Sequence, residues 1–232
     1  VDLTVRAGEV LGVAGVAGNG QSELLAVLGG YQKATGTVSI NQIPIPISSA
    51  AEGQTRRGIG LSHVPEDRQH EGLIMEFNAW ENIVFGYHTD AVHQNGLFMD
   101  NAGIRAEALA KMERFDIRPP DPRLRARSFS GGNQQKIVLA REIERDPDIL
   151  LIGQPTRGVD IGAIEFIHQQ IIALRDRGKA ILLVSVELDE ILSLSDRIAV
   201  MFDGQIMGER LTYETNEKEL GLLMAGVETR SA

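Results

Sequence analysis

Cysteine is absent from all 232 residues. No disulfide and no thiolate metal site can form, a composition that suits a reducing compartment. Basic charge is short as well: 23 Lys and Arg against 32 Asp and Glu leave a formal net charge of −9. That balance argues against a nucleic-acid partner, because gripping a phosphate backbone needs clustered cations. No apolar run approaches the roughly 20 residues that cross a bilayer. No signal peptide, internal repeat or low-complexity stretch stands out. The histidines at 63, 70, 88, 93 and 168 show no metal-ligand spacing. The chain opens at Val1, inside an apparent strand, and so reads as a piece of a longer polypeptide, with a processed N-terminus as the plain alternative.

The length fits one large domain or two lobes. Val1–Val5 and Glu9–Ala14 read as strands about the turn Arg6-Ala-Gly8, and Ser22–Leu28 as a helix. Gly36–Ile40 and Ile43–Ile47 read as short strands, with Pro44 and Pro46 placing the second at a sheet edge. Ser48–Arg57 reads as a helix and Gly60–Val64 as a strand stopped by Pro65. From about 67 to 145 the pattern turns helical, at Trp80–Tyr87, Ala102–Phe115 and Gly132–Arg145, with Trp80 assigned to the core. Alternation then resumes with strand Asp148–Ile152, helix Ala163–Arg175, strand Ala180–Val184 and the amphipathic helix Leu188–Leu194. Strands Arg197–Phe202 and Gln205–Arg210 meet at the hairpin dipeptide Asp203-Gly204, before a last helix at Glu217–Met224. Strands on both sides of an inserted helical block predict an α/β core at 1–66 and 146–232 carrying a helical lobe at 67–145.

Three segments carry chemistry. Gly15 to Ser22 follows the phosphate-loop template G-x-x-x-x-G-K-[ST] at every fixed position except the lysine, which is Gln21. Backbone N–H groups of such a loop turn toward phosphate oxygens, helped by the helix N-terminus. Ser22 offers a hydroxyl to Mg²⁺, but Gln21 brings no charge. The plain alternative is a glycine-rich turn without a ligand. Ser130-Gly131-Gly132-Asn133-Gln134 opens a helix. A serine and bare N–H groups there can grip a γ-phosphate, including one supplied by a partner; an ordinary N-cap is the plain alternative. Third, the apolar strand Ile149–Ile152 ends in Gly153-Gln-Pro-Thr-Arg-Gly-Val-Asp160.

Together these segments resemble the ATP-binding domain of ABC transporters. The nearest likeness is the degenerate second half of the fused ATPase subunit of simple-sugar and nucleoside importers. Val13-Ala-Gly-Val-Ala-Gly-Asn-Gly-Gln-Ser22, His63-Val-Pro-Glu-Asp-Arg-Gln69, Ser130-Gly-Gly-Asn-Gln-Gln-Lys136, Gln154-Pro-Thr-Arg-Gly158 and Glu187-Leu-Asp-Glu190 carry it. Phe129 stands where that family usually has leucine. The resemblance implies an α/β P-loop NTPase fold with a RecA-like core, an antiparallel β edge and an inserted α-helical lobe. It implies nucleotide contacts from Gly15, Gly18, Asn19, Gly20, Gln21, Ser22 and Glu23, and a signature at Ser130, Gly131, Gly132, Asn133 and Gln134 that acts in trans. Glu66 stands at the lobe-junction glutamine and Asp160 at the inter-subunit loop aspartate.

The family's hydrolytic groups are missing. The Mg²⁺-ordering aspartate is Gly153, the catalytic glutamate is Gln154 and the γ-phosphate histidine is Val186. Loss of a positioned base alone costs about 10²–10⁴-fold. The expectation is a domain whose own site, holding ATP and at most weak Mg²⁺ through Ser22, is inactive, while hydrolysis belongs to the intact assembly. Implied partners are a first nucleotide-binding half fused upstream, transmembrane permease subunits (for which Glu76–Ile83 is a candidate surface) and, indirectly, an extracytoplasmic solute-binding protein. The implied place is peripheral, on the cytoplasmic face of the cell membrane. Two other readings stand beside it: a scaffold domain of the same transporter that binds no nucleotide, and a soluble ABC-type ATPase of translation or DNA repair, which the acidic balance disfavours.

Overall fold

The computed structural model describes residues 1–47, 53–95 and 98–227, and the predicted helix start at 48–52 lies outside them. In chain order the elements are β1 (Val10–Ala14), α1 (Gln21–Leu28), β2 (Val38–Ile40), β3 (Ile43–Ile45), α2 (Gly53–Gly58) and β4 (Leu61–Val64). There follow α3 (Ala79–Val84), β5 (Gln94–Asn95), β6 (Phe98–Met99), α4 (Asn101–Arg114) and α5 (Gly131–Ile143). The chain then runs through β7 (Ile149–Gly153), α6 (Ile161–Asp176), β8 (Ala180–Ser185), α7 (Leu188–Leu194), β9 (Arg197–Phe202), β10 (Gln205–Leu211) and α8 (Glu217–Met224).

The chain divides into two compact units: Val1–Glu66 with Pro147–Pro155 and His168–Ala232, and Asp67–Asp146 with Thr156–Ile167. Relative to the boundaries read from sequence, residues 156–167 group with the helical unit. The reason lies in packing within that unit, where Phe166 of α6 meets Phe115 edge-on at 5.7 Å and Lys136 at 5.0 Å.

The first unit is a six-stranded sheet in the order β10-β9-β1-β8-β7-β4. Five strands are parallel and β10 is antiparallel at one edge. β1 and β8 are buried throughout, and β7 after its first residue. This explains why these strands read as continuous apolar runs, as expected for parallel sheet covered on both faces. Leu11, Val13, Leu25, Leu61, Leu151, Leu182, Val184, Ala199 and Met201 form its core. β2 and β3 make a separate antiparallel ribbon, in which Pro44 is tolerated because each strand has an open edge. Asp203 and Gly204 turn from β9 to β10 at φ 45° and 72°, the left-handed pair that a two-residue hairpin requires.

Two expectations fail here. Val1–Val5 is not a strand. β10 holds the edge beside β9, and alternation without a neighbouring strand leaves backbone groups to other partners, as where Arg197 donates to the Thr4 carbonyl. Trp80 is not core either: α3 buries Ala79, Asn82, Ile83 and Val84 instead. Its indole lies half-exposed under the Arg105 guanidinium, 5.8 Å from the ring centre.

The second unit is helical, with α3, α4 and α5 packed around Ile104, Ala108, Met112, Ile137 and Leu139. Short features that were not foreseen include a π-helical turn at Arg68–Gly72 and the β5–β6 ribbon. The interior also holds hydrogen-bonded polar groups. Asn82 is fully buried and bonds both backbone groups of Ile74. Arg141 donates to Glu142 at 2.7 Å and to the Gly72 carbonyl at 2.8 Å, while Tyr87 donates to the second Glu142 oxygen at 2.8 Å. Removing one member of a buried ion pair strands the other charge. Glu142→Ala should therefore cost about 3–5 kcal/mol of unfolding free energy, whereas Arg141→Met with Glu142→Leu should be closer to neutral. Urea denaturation of the two variants checks the contrast.

Candidate functional site

In the first unit, candidate residues gather at the carboxyl ends of β1, β4, β7 and β8. Ligands bind outside this end of open α/β sheets. β1 feeds the loop Gly15–Gly20, and α1 starts at Gln21. Gly20 caps the helix at φ 106°, a conformation costly for any side chain. The loop is pinned from outside by the β9–β10 turn. Gly204 N–H donates to the Asn19 carbonyl at 2.9 Å, and Asp203 N–H to Asn19 Oδ1 at 3.1 Å. This support, 184 residues away in sequence, was not read from the chain. Asn19 is thus a scaffold residue of the loop through both its oxygens.

Gln21 is 4% exposed and folds back into the loop, where Nε2 donates to the Val16 carbonyl at 3.2 Å. The amide lies 2.0 Å from where a Cβ on Gly15 would sit, so Gly15 has to be glycine for Gln21 to take this path. The side chain at this position is neutral, where the phosphate-loop template has lysine. Ser22 and Glu23 lie exposed in the first turn of α1. The Ser22 hydroxyl donates to the Glu66 carboxylate at 2.7 Å. Sequence reading named both residues without pairing them.

β7 ends at Gly153, and Gln154 follows at φ 47°. Its N–H donates to the Val184 carbonyl at 2.8 Å, and its Oε1 accepts a long bond, 3.4 Å, from Val186 N–H. These two positions are therefore adjacent. Their chemistry is backbone support. An amide oxygen is a poor proton acceptor at neutral pH, and the apolar Val186 side chain offers a phosphate nothing.

The second unit holds the serine–glycine run. Ser130 caps α5, its Oγ accepting from Asn133 N–H at 3.5 Å and Asn133 Nδ2 at 3.0 Å. Asn133 Oδ1 accepts from Arg118 N–H at 2.7 Å. Gln134 donates to the Ala126 and Phe129 carbonyls and accepts from Gln69 at 3.0 Å. Asn133 and Gln134 are thus side-chain anchors that hold the turn, while Ser130 stays exposed at its tip. Phe129 is buried under it. Asp160 Oδ1 accepts from Ala163 N–H at 3.0 Å, capping α6, and Oδ2 lies 2.9 Å from a Cβ position on Gly132.

Arg68 is a residue that sequence reading missed. It donates to the Arg157 carbonyl at 2.6 Å and the Gly158 carbonyl at 3.4 Å, and its Nη2 stands 2.6 Å from a Cβ position on Gly131. It therefore braces the loop before Asp160 and lies close against Gly131 of the serine–glycine run. Burial pushes the Arg68 guanidinium down from its ordinary range, Asp67 opposes this and Arg157 adds to it. Asp67 is itself held low by its hydrogen bond to His70. Arg68 adjoins the conspicuous Glu66-Asp67 pair, yet nothing in the sequence links it to Gly158, 90 residues on.

Comparison with known proteins agrees with this geometry. The ABC transporter family model matches residues 1–157. A guanosine import ATP-binding protein, NupO of Bacillus subtilis, is 45% identical across 100% of this chain and 45% of its own length. A nucleoside import ATP-binding protein, NupA of Lactococcus lactis subsp. cremoris, is 46% identical over 97% of this chain and 44% of its own. A glucose import ATP-binding protein, TsgD13 of Haloferax volcanii, is 41% identical over 97% and 41%. The chain therefore spans under half the length of these curated relatives. Among solved structures, the dimeric post-hydrolysis ATP-binding cassette MJ0796 bound to ADP and Pi superposes with a TM-score of 0.78 at 25% identity, over 91% of this chain and 89% of that one. With its parallel sheet, glycine loop and serine-capped helix accounted for, the chain belongs to the ABC transporter family as one of its ATP-binding domains.

Proposed function

We propose that this chain is one nucleotide-binding half of an importer for a nucleoside or simple sugar, holding ATP in its own loop without cleaving it and completing a partner half's site with Ser130–Gln134. The uneven loss of groups carries this reading. Charge is gone at Gln21, Gly153 and Gln154 and imidazole at Val186, while Ser130 remains exposed on a turn braced by Asn133 and Gln134. Drift toward a pure scaffold would have no reason to spare the turn. The relatives named for guanosine, nucleoside and glucose import support the substrate class. They are a little over twice as long as the matched segment, the length that two such halves need. The remaining partners follow from the same class: a fused first half, membrane-spanning permease subunits and a solute-binding protein, with this domain on the cytoplasmic membrane face. Phe77 and Phe85, partly exposed and edge-on at 6.5 Å, make Glu76–Ile83 and its flank the candidate permease contact.

The residues fit Mg²⁺ and ATP. Space beside Gly18 is open at φ 91°, leaving bare loop N–H groups for phosphate oxygens. Ser22 and Glu66 supply the hard oxygen donors that Mg²⁺ prefers, and it needs only one or two from protein when phosphates supply others. When bound, Mg²⁺ would neutralise phosphate charge. In this chain Gln21 contributes a neutral hydrogen bond, and Gln154 holds no proton-accepting group over the loop.

Two measurements test the reading. Gln21→Lys restores a charged donor worth about 1.4 kcal/mol and should tighten ATP binding roughly tenfold by calorimetry. Absence of ATP binding in both forms would instead mark a scaffold. Ser130→Arg in the whole protein should lower ATP turnover of the assembly by about 10²-fold or more while ATP binding at the Gly15–Ser22 loop stays intact. Unchanged turnover and transport would refute action in trans.

A further inference from the structure

The turn at 67–72 reaches two segments of its own unit at once. Asp67 caps it, with Oδ1 accepting from the N–H groups of Gln69 and His70, each at 3.0 Å. From this turn Gln69 donates to Gln134 Oε1 at 3.0 Å. Its neighbour Arg68 donates to the Arg157 carbonyl at 2.6 Å and, more weakly, to the Gly158 carbonyl at 3.4 Å. Two glycines let the loop at 157–160 close on the start of α5. A Cβ on Gly131 would lie 2.6 Å from Arg68 Nη2 and 2.9 Å from the Gly158 carbonyl oxygen, and one on Gly132 would lie 2.9 Å from Asp160 Oδ2. Each distance is inside ordinary nonbonded contact, so a side chain at either position would push the loop away. The serine–glycine run, the loop into Asp160 and the Arg68 guanidinium therefore meet as one close-packed corner.

We propose that Arg68 is a positioning residue for the partner half's site, holding the loop at 157–160 against the serine–glycine run so that Ser130 and Asp160 are offered to that half as one preformed face. The inference rests on the reading that Ser130–Gln134 acts in trans, and deepens it. A guanidinium gives the two carbonyls charge-assisted bonds, which are stronger than neutral ones, from a planar fork that lysine lacks. Its charge is also poorly placed for an isolated unit. Arg157 opposes it, as does the positive N-terminal end of α5, and Asp67 offsets only part of this while its carboxylate serves the turn. An anion arriving at Ser130 relieves that repulsion. Without Arg68 the loop is free to shift relative to Ser130, and a misplacement of about 1 Å at a reacting centre can cost about 10²-fold in rate.

Steady-state ATP hydrolysis by the whole transporter assembly tests this, with Ser130→Arg as the reference variant. Arg68→Ala should lower kcat about 10-fold or more and change KM for ATP by less than about twofold, the signature of an interaction that matters in the transition state. Free guanidinium, kept far below denaturing concentration, should recover turnover in Arg68→Ala and not in Ser130→Arg. Arg68→Lys keeps the charge and loses the fork, so its kcat should also fall; it carries the test if Arg68→Ala does not fold. If Ser130→Arg abolishes turnover while Arg68→Ala and Arg68→Lys keep the wild-type kcat, or change KM alone, the positioning role is wrong and the trans reading stands. A loss in Arg68→Ala that guanidinium does not recover marks a merely structural residue and overturns the proposal as well. If Ser130→Arg itself leaves turnover unchanged, the trans reading falls and this inference falls with it.

Discussion

Parallel pairing of β1 between β8 and β9 is the constraint from which the site follows. It fixes where β1 ends, and hence where the Gly15–Gly20 loop turns and α1 begins. It also sets β1 beside β9, whose hairpin to β10 returns Asp203 and Gly204 to hold Asn19. A loop of glycines has little conformational preference of its own. Here its shape comes from hydrogen bonds at both ends and from the Gln21 amide folded inside it. Rigidity of this kind lets backbone N–H groups face a phosphate without reorganising.

The loop from Gly15 to Ser22 carries no charged side chain. A phosphate cluster is stabilised by neutralisation and positioning, and the first of these is reduced to one neutral amide and one hydroxyl. The Gln154 amide is turned to the backbone at Val186, so the strand end has become a hydrogen-bonded corner. Glu66 is charged and close by: its Cγ lies over Gly153 and its carboxylate accepts from the Ser22 hydroxyl.

The serine–glycine run has a different economy. Asn133 and Gln134 spend their side chains on the turns at 116–118 and 126–129. Arg68 braces the loop leading into Asp160 and lies close against Gly131. Each of these groups is bonded within its own unit, and Ser130 is exposed at the tip. Stability of the turn and availability of the serine are thus separate properties held by separate residues.

Much of the fold was legible because short apolar runs such as Ile149–Ile152 and Ala180–Val184, alternating with helical patterns, fit buried strands, and because Asp203-Gly204 favours a hairpin turn. The strand expected at Val1–Val5 and the core place given to Trp80 failed for a shared reason. Alternation and hydrophobicity say that a residue can be buried, not that a neighbour will be there to bury it. The site divides the same way. Residue type and spacing at Gly15–Ser22, Ser130–Gln134 and Gly153–Gln154 were enough to single these segments out, since such patterns depend on local sequence alone. Only the tertiary structure decided that Glu66 fills the space over Gly153 to reach Ser22, that Asn19 leans on a hairpin far down the chain and that Arg68 clasps Gly158. Those contacts join residues 44 to 184 positions apart, and only packing of strands and turns brings such distant groups to within a hydrogen bond.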